Sequence, residues 1–314
     1  MPAKSIVFVL GAGASDGVGY PVGVKLKSNI KNKLLLPETN PMSYKKDALD
    51  AGFERADIEE FIDHFGKYSL PTIDDFLADE NSDLRPIGKF LIARELISLE
   101  DTDALMTRGG QCWYGLARQL MGRDLEALSR CQFRFFTFNY DRSFPFFIYN
   151  AFRAYARDPL LRPRLGGLVG NLFLSPFHGR LSGLPWLDGA RPYSSTTDMA
   201  VIREASKGII VADEARNLRH FMFDPVDVIG SADQVYFLGF AFDARNMATL
   251  RMPEFAKPDA HAHPKYVHKF NSSGRSRLPD PVRARLSRDY NMRFFDSIEE
   301  IMQLLLDFPE RVSE

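Results

Sequence analysis

The distribution of apolar residues along the chain predicts two kinds of element. Runs of strand length, nearly continuous in apolar residues, recur at Ile6–Leu10, Phe133–Phe138, Asn171–Phe177, Gln234–Phe240 and Tyr266–Phe270, with a weaker run at Met292–Phe295. Such runs are expected for strands that are covered on both faces. Stretches with helical spacing lie between several of them. The pattern therefore predicts an α/β fold, a Rossmann-like open parallel sheet with helices on both faces.

The segment between the first two strands is too long for a simple crossover connection. Most of it, from Gly23 to Arg130, has helical spacing, most clearly at Ile58–Phe65, Thr72–Leu77, Ile87–Leu99 and Gly115–Leu128. We therefore expect a helical insertion over residues 23–130, packed on a core that residues 1–22 and 131–314 form. Near the C-terminus, Ser297 is a predicted N-cap of a helix that extends to Phe308.

The first predicted strand leads directly into a glycine-rich turn, Gly11-Ala12-Gly13-Ala14-Ser15. Glycines after a buried strand let backbone N–H groups approach a phosphate, which then lies at a helix start. The dinucleotide fingerprint G-x-G-x-x-G is broken at Asp16, and no Gly-Lys-Ser/Thr follows to make a phosphate loop. Two interpretations of this stretch are open. It is either a nucleotide cradle in which Ser15 forms a hydrogen bond with the ligand, or only a tight turn between a strand and a helix.

The same stretch also fits a second kind of chemistry. Gly13 to Gly17 matches G-x-S-x-G, the nucleophile elbow that follows a strand in serine hydrolases. In that interpretation Ser15 is the nucleophile and His178 or His220 is its base.

Polar or small residues follow the later strands as well. Asn139 and Asp141 alternate after the second strand, so both can point into one crevice. The third strand is followed by His178 and Gly179, the fourth contains Gly239 and Phe240 at its end, and Asn271 follows the fifth. Ligands of open parallel sheets bind beyond the carboxyl ends of the strands, which makes these residues candidates for one site. Local turn formation by Asn and Asp is the alternative.

Composition narrows the possible partners. The formal net charge is −1, which gives no global electrostatic argument for a nucleic acid or a membrane as partner. A late basic run is either a solvated helical face or a contact for phosphate or a partner; it contains Arg275, Arg277, Arg283, Arg285, Arg288 and Arg293. Direct nucleic-acid binding stays open. The chain has no apolar stretch long enough to span a membrane and no signal-peptide pattern, so we expect a cytoplasmic protein.

The metal-binding residue types are few. Cys112 and Cys131 are the only cysteines, so a structural four-cysteine zinc site is excluded. The histidines at 261, 263 and 268 lie near one another, but no cysteine completes the set, and we expect no metal there.

Taken together, the motifs resemble those of the sirtuin (silent information regulator) family. Gly11-Ala12-Gly13-Ala14-Ser15 is similar to the family's G-A-G-x-S loop, Thr137 to Asp141 resembles its T-x-N-x-D motif, and His178-Gly179 resembles its catalytic H-G. Gly239-Phe240-Ala241 stands where the family has G-x-S, with alanine in place of serine. Asn271 resembles a later strand-end asparagine near the adenosine. The motifs occur in family order from Ser5 to Phe308.

The departures from the family are informative. The four zinc cysteines are absent, and Gly19-Tyr20-Pro21-Val22-Gly23 replaces the G-I-P-D-F-R segment. Both features shape the acyl-lysine enzymes, so protein deacylation is the less favoured function. The pattern looks more like the sirtuin-like domains of bacterial antiphage defence systems, which hydrolyse NAD.

The resemblance implies an NAD glycohydrolase that depletes NAD, takes NAD as substrate and needs no zinc. It implies Asn139, His178 and Asp141 as catalytic residues, with the glycine loop, Gly239, Phe240 and Asn271 binding the dinucleotide. It also implies a homo-oligomer and a partner such as a ring-forming ATPase or another defence protein. The alternative is a subunit that binds NAD or an ADP-ribose-type nucleotide as a sensor or for assembly.

Overall fold

A computed structural model describes residues 5–69, 71–79, 83–121, 133–155, 162–184, 186–187, 190–211, 214, 224–256, 269–274 and 277–301. Its strands form one parallel sheet in the order β3-β2-β1-β4-β5-β6. They are β1 (Ile6–Leu10), β2 (Phe133–Thr137), β3 (Phe173–Pro176), β4 (Gln234–Leu238), β5 (Phe270–Ser272) and β6 (Arg293–Phe294). This is the strand order of Rossmann folds, and it confirms the predicted α/β class.

Between β1 and β2 the described chain is helical. The helices there are α1 (Gly23–Leu34), α2 (Tyr44–Asp50), α3 (Arg55–Lys67), α4 (Ile73–Asp79), α5 (Arg85–Ile97), α6 (Thr102–Cys112) and α7 (Tyr114–Met121). The predicted helical segments fall within or largely overlap α3, α4, α5 and α7, although residues 122–128 of the last one lie outside the described residues.

Helices also connect the later strands. They are α8 (Ser143–Tyr155), α9 (Arg162–Leu172), α10 (Met199–Ser206), α11 (Pro225–Ser231), α12 (Ala244–Thr249) and α13 (Asp280–Tyr290). The predicted N-cap is confirmed, because Ser297 Oγ accepts a hydrogen bond from the amide of Glu300 at 3.1 Å. The described part of that last helix ends at residue 301.

Two hydrophobic clusters, one on each face, hold the sheet. Along β1, Ile6, Phe8 and Leu10 belong to the cluster that includes the helices of residues 23–121, whereas Val7 and Val9 belong to the opposite cluster. All five residues of β1 are buried, which explains why the strand is apolar without alternation. The central strand therefore fixes the position of the loop that follows it.

Several predicted strand boundaries were wrong by a few residues. Residues 171 and 172 end α9, so β3 begins at Phe173 rather than Asn171. The strand predicted at Tyr266–Phe270 begins only at Phe270, and residues 266–268 lie outside the described part of the chain. β4 ends at Leu238 because Gly239 takes a positive φ of 59° and turns the chain. Apolar content alone does not mark these ends, since Leu172 before β3 and Phe240 after β4 are also buried.

Candidate active site

A cavity of about 760 Å³ lies at the carboxyl ends of β1 and β4. Strand order reverses between these two neighbours, which is where open α/β sheets bind ligands. The loops that follow β1, β2, β3, β4 and β5 contribute to the wall, as does α4. The volume is in the upper part of the range of about 300–1,000 Å³ for small-molecule sites.

The glycines of the first loop let two loops touch. A Cβ on Gly11 would lie 2.6 Å from the carbonyl oxygen of Gly239, and a Cβ on Gly13 would lie 2.9 Å from the Gly239 Cα. In the other direction, a Cβ on Gly239 would lie 2.0 Å from the amide nitrogen of Ala14. Close backbone approach therefore requires glycine at all three positions, whatever ligand the cavity binds.

Most amides of this loop already have protein acceptors. Gly11 N donates to Leu238 O at 3.0 Å, and Gly13 N donates to Gly239 O at 3.0 Å. The amides of Ala14 and Ser15 donate within the loop. Among the described hydrogen bonds none uses the amide of Ala12, and Ala12 lines the cavity.

The expected helix start directly after the loop is wrong. The chain instead forms two short 3₁₀ turns, Ala12–Ala14 and Asp16–Val18, and α1 begins only at Gly23. Gly23 and Val24 do line the cavity, so the start of α1 borders it from another side. A phosphate beside Ala12 would therefore rely on single amides rather than on the first turn of a helix.

Ser15 lies beneath the loop, at the centre of a polar network. Its side chain is buried, with 1% of its surface exposed, and it is not part of the cavity wall. Asn139 Nδ2 donates to Ser15 Oγ at 3.1 Å, and Ser15 Oγ donates to Asp141 Oδ1 at 3.3 Å. The hydroxyl and the amide of Ser143 also donate to Asp141 Oδ1. Ser15 therefore orients the side chain of Asn139 from beneath the loop.

The nucleophile-elbow interpretation does not agree with this geometry. An elbow serine is exposed on its turn and has a histidine within hydrogen-bonding reach. The described partners of Ser15 Oγ are Asn139, Asp141 and Ser143, none of which is a histidine. His220, one of the two proposed bases, lies outside the described residues.

Two buried polar atoms beside the cavity have no hydrogen-bond partner in the described structure. They are Asn139 Oδ1 and His178 Nε2, and both residues line the cavity. Asn139 is 7% exposed and His178 is 5% exposed. Burying an unsatisfied polar atom costs about 1–3 kcal/mol, so two of them at one cavity indicate groups kept for a ligand.

His178 is held by aromatic rings and by an unusual backbone turn. The edge of its ring meets Phe138 at 5.3 Å between centroids, and Tyr140 lies 5.6 Å away. Gly179 has a φ of 68°, and a Cβ there would lie 1.9 Å from Gly208 O, so only glycine allows this turn. Burial lowers the pKa of His178 below its ordinary value, and Asp74 and Asp243 oppose that effect.

The chain after Asp141 is fixed by a buried ion cluster. The Arg142 guanidinium is fully buried and pairs with Glu100 at 2.8 Å. It also donates to the carbonyls of Gly183 at 2.8 Å and Arg191 at 2.9 Å. These contacts tie the loop after β2 to the connection between α5 and α6 and to the backbone at Gly183 and Arg191. The cluster thereby holds Asn139 and Asp141 in place.

The other end of the cavity is formed by the loop after β5 and by residues 296–299, at the start of the last helix. Ser273 Oγ accepts a hydrogen bond from the amide of Gly239 at 2.9 Å, and Arg277 forms a salt bridge with Asp16 at 2.9 Å. Asn271, predicted to bind the dinucleotide, is not part of the cavity wall. It lies within β5 and donates to Gln234 Oε1 at 3.0 Å, near the start of β4. The structure therefore does not bring Asn271 to the cavity.

The other predicted residues meet at the cavity. The wall includes Gly11, Ala12, Gly13, Ala14, Asn139, Asp141, His178, Gly239 and Phe240. Sequence reasoning missed Asp74, Asp75 and Arg245, which also line it. The two acids appeared only as ordinary first-turn residues of a helix, and nothing in the local pattern joins them to His178.

The candidate metal ligands at 261, 263 and 268 lie outside the described residues. Among the residues that the structure does describe, no group of histidine, cysteine, aspartate and glutamate side chains is arranged to hold a metal ion. Within the same residues, none of the helices has the length and apolar character needed to cross a membrane. The chain matches no protein-family model and no curated protein sequence.

Proposed function

We propose that the protein is an NAD glycohydrolase, which cleaves the bond between nicotinamide and ribose. The observation that carries this proposal is the pair of unsatisfied buried atoms, Asn139 Oδ1 and His178 Nε2, at the cavity beside the glycine loop. One is an acceptor suited to a ribose hydroxyl or a water molecule. The other is the basic nitrogen of an imidazole, the group that most often serves as a general base.

The charge of the cavity agrees with this substrate. The nicotinamide ring of NAD is a cation, and positive charge moves onto the ribose as the bond breaks. Asp74, Asp141 and Asp243 line the cavity. Carboxylates in a partly dry site stabilise such a charge more strongly than water does.

In the proposed reaction, the bonding electron pair leaves with the ring nitrogen, and nicotinamide departs neutral. Water attacks the ribose carbon, and its proton passes to His178 Nε2. Asn139 Oδ1 accepts a hydrogen bond from the water or from a ribose hydroxyl. The products are nicotinamide, ADP-ribose and one proton. The low pKa of His178 keeps its ring neutral, as a base must be, near pH 7.

The dinucleotide extends from this end across the glycine loops. Ala12 N–H donates to the pyrophosphate, and Phe240 with the loop after β5 borders the adenosine. A role in antiphage defence through NAD depletion, a homo-oligomer and a partner ATPase or other defence protein are further parts of the proposal, and they rest on the sirtuin resemblance.

The test is the release of nicotinamide from NAD, followed by proton NMR. We expect release by the native protein and a loss of about 10²–10⁴-fold in His178→Ala, the usual contribution of a general base. His64→Ala is the matched control, because His64 is an exposed histidine on α3. Full activity in His178→Ala contradicts the proposed base.

Calorimetric titration with NAD separates the alternative function. Binding of NAD without nicotinamide release by the native protein favours the sensor or assembly subunit over the enzyme. If the native protein neither binds NAD nor releases nicotinamide, both functions are contradicted.

A further inference from the structure

Helix α4 brings an acidic residue of the helical segment to the cavity. Ile73, Phe76 and Leu77 are at most 1% exposed and form the buried face of this helix. Their spacing leaves Asp74 and Asp75 on the other side, where both line the cavity. The buried face therefore determines that two carboxylates point towards the site.

Asp74 is connected to His178 through Tyr140. The Tyr140 hydroxyl donates a hydrogen bond to Asp74 Oδ1. The Tyr140 ring lies 5.6 Å from the His178 ring, with 31° between their planes. Tyr140 is buried and follows Asn139 directly, so one short segment carries both the unsatisfied amide and the contact to Asp74.

The neighbouring carboxylates have other partners. Asp75 pairs with Arg245 at 3.2 Å and accepts the Thr72 hydroxyl at 2.7 Å. Asp243 caps α12, where it accepts both the amide and the side chain of Asn246. Burial lowers the pKa of His178, and Asp74, Asp243, the Phe138 backbone and the Asn246 side chain oppose that effect.

We propose that Asp74 is a positioning residue for His178, acting on the imidazole through its charge while Tyr140 holds its carboxylate in place. The inference rests on the proposed function for its catalytic meaning. As Nε2 takes the proton of the attacking water, the ring becomes a cation, and the Asp74 carboxylate stabilises it. The helical segment between β1 and β2 thereby supplies part of the active site.

The first test does not depend on activity. Histidine-labelled protein is titrated by NMR, and the His178 signal is identified by its loss in His178→Ala. In Asp74→Asn we expect His178 to titrate at lower pH than in the native protein, because a neighbouring negative charge favours the imidazolium. Asp57→Asn, an exposed acid on α3, is the matched control and leaves the titration unchanged.

The second test uses the pH profile of NAD cleavage. In Asp74→Asn the acid limb of kcat/KM moves to lower pH, and the plateau falls by less than the roughly 10²–10⁴-fold expected for loss of the base. Asp74→Glu keeps the charge, and we expect its limb to return towards the native pH.

Two results overturn the inference. One is a His178 titration in Asp74→Asn that equals that of the native protein, and the other is an unmoved acid limb. If the native protein releases no nicotinamide, the proposed function fails, whereas the NMR titration still decides whether Asp74 acts on His178.

Discussion

Two buried asparagines allow function and stability to be separated. Asn139 is 7% exposed, and Asn271 is 2% exposed. The amide of Asn139 donates to Ser15 Oγ, but its Oδ1 has no described partner. The amide of Asn271 donates to Gln234 Oε1 and to the carbonyls of Lys269 and Val235. We predict that the alanine variants have opposite phenotypes.

The magnitudes follow from these contacts. Asn139→Ala loses one hydrogen bond, about 0.5–1.5 kcal/mol, and removes an unsatisfied oxygen whose burial costs about 1–3 kcal/mol. The two effects oppose each other, so the free energy of unfolding changes by between a loss of about 0.5 and a gain of about 2.5 kcal/mol. Asn271→Ala removes the buried donor of these hydrogen bonds, of which the one to Gln234 Oε1 is the shortest, and stability falls by about 1–3 kcal/mol.

Urea unfolding followed by tryptophan fluorescence measures the stability of both variants, and nicotinamide release measures their activity. We expect Asn139→Ala to be stable and inactive, and Asn271→Ala to be less stable and active where it is folded. Loss of NAD cleavage in folded Asn271→Ala would refute the assignment of Asn271 as structural. A loss of more than about 1 kcal/mol in Asn139→Ala would refute the offset.

Three further predictions concern the loops and the imidazole. Ser15→Ala lowers NAD cleavage by roughly five- to tenfold, because the hydrogen bond of about 1 kcal/mol that orients Asn139 is lost. Labelling of native Ser15 by an acyl probe would contradict this positioning role. Gly239→Ala lowers stability by more than about 2 kcal/mol in urea unfolding, since its φ is 59° and the added Cβ would lie 2.0 Å from the amide nitrogen of Ala14. Gly110→Ala is the control, because Gly110 lies in α6 with open space around it, and this variant raises stability by about 0.5–1 kcal/mol. Equal stability changes in the two glycine variants would disprove the steric argument. Folding lowers the pKa of His178, so the histidine contributes to stability above its ordinary pKa of 6.5. This contribution is lost as the pH falls through the lowered pKa of the folded state. In His178→Ala the free energy of unfolding should therefore decrease less steeply over this pH range.

Much of the fold could be predicted because the sheet is buried on both faces. β1 matches its predicted bounds, since an apolar run of five residues between polar Ser5 and Gly11 has one interpretation. β3 was less clear, because α9 and the strand share an apolar stretch with no break between them. The strand order, in contrast, depends on which helices cover which face, and no local pattern carries that information.

The candidate site could be predicted in part, because the sequence indicates which residues follow the strands but not how neighbouring loops pack. Asn139 and His178 could be placed because both follow strands whose carboxyl ends meet at one edge. Ser15 and Asn271 could not, because whether a side chain points into the cavity or beneath it depends on the packing of a neighbouring loop. Asp74 was missed since its partner, Tyr140, is 66 residues away in the chain.

The account is tested most directly by a crystal structure of the His178→Ala protein with NAD. The variant removes the proposed base, so the dinucleotide should remain uncleaved. We predict a nicotinamide ribose or its water within about 3.2 Å of Asn139 Oδ1 and the pyrophosphate beside the Ala12 amide. A dinucleotide bound outside this cavity, or bound with its adenine beside Asn139, would contradict the central claim.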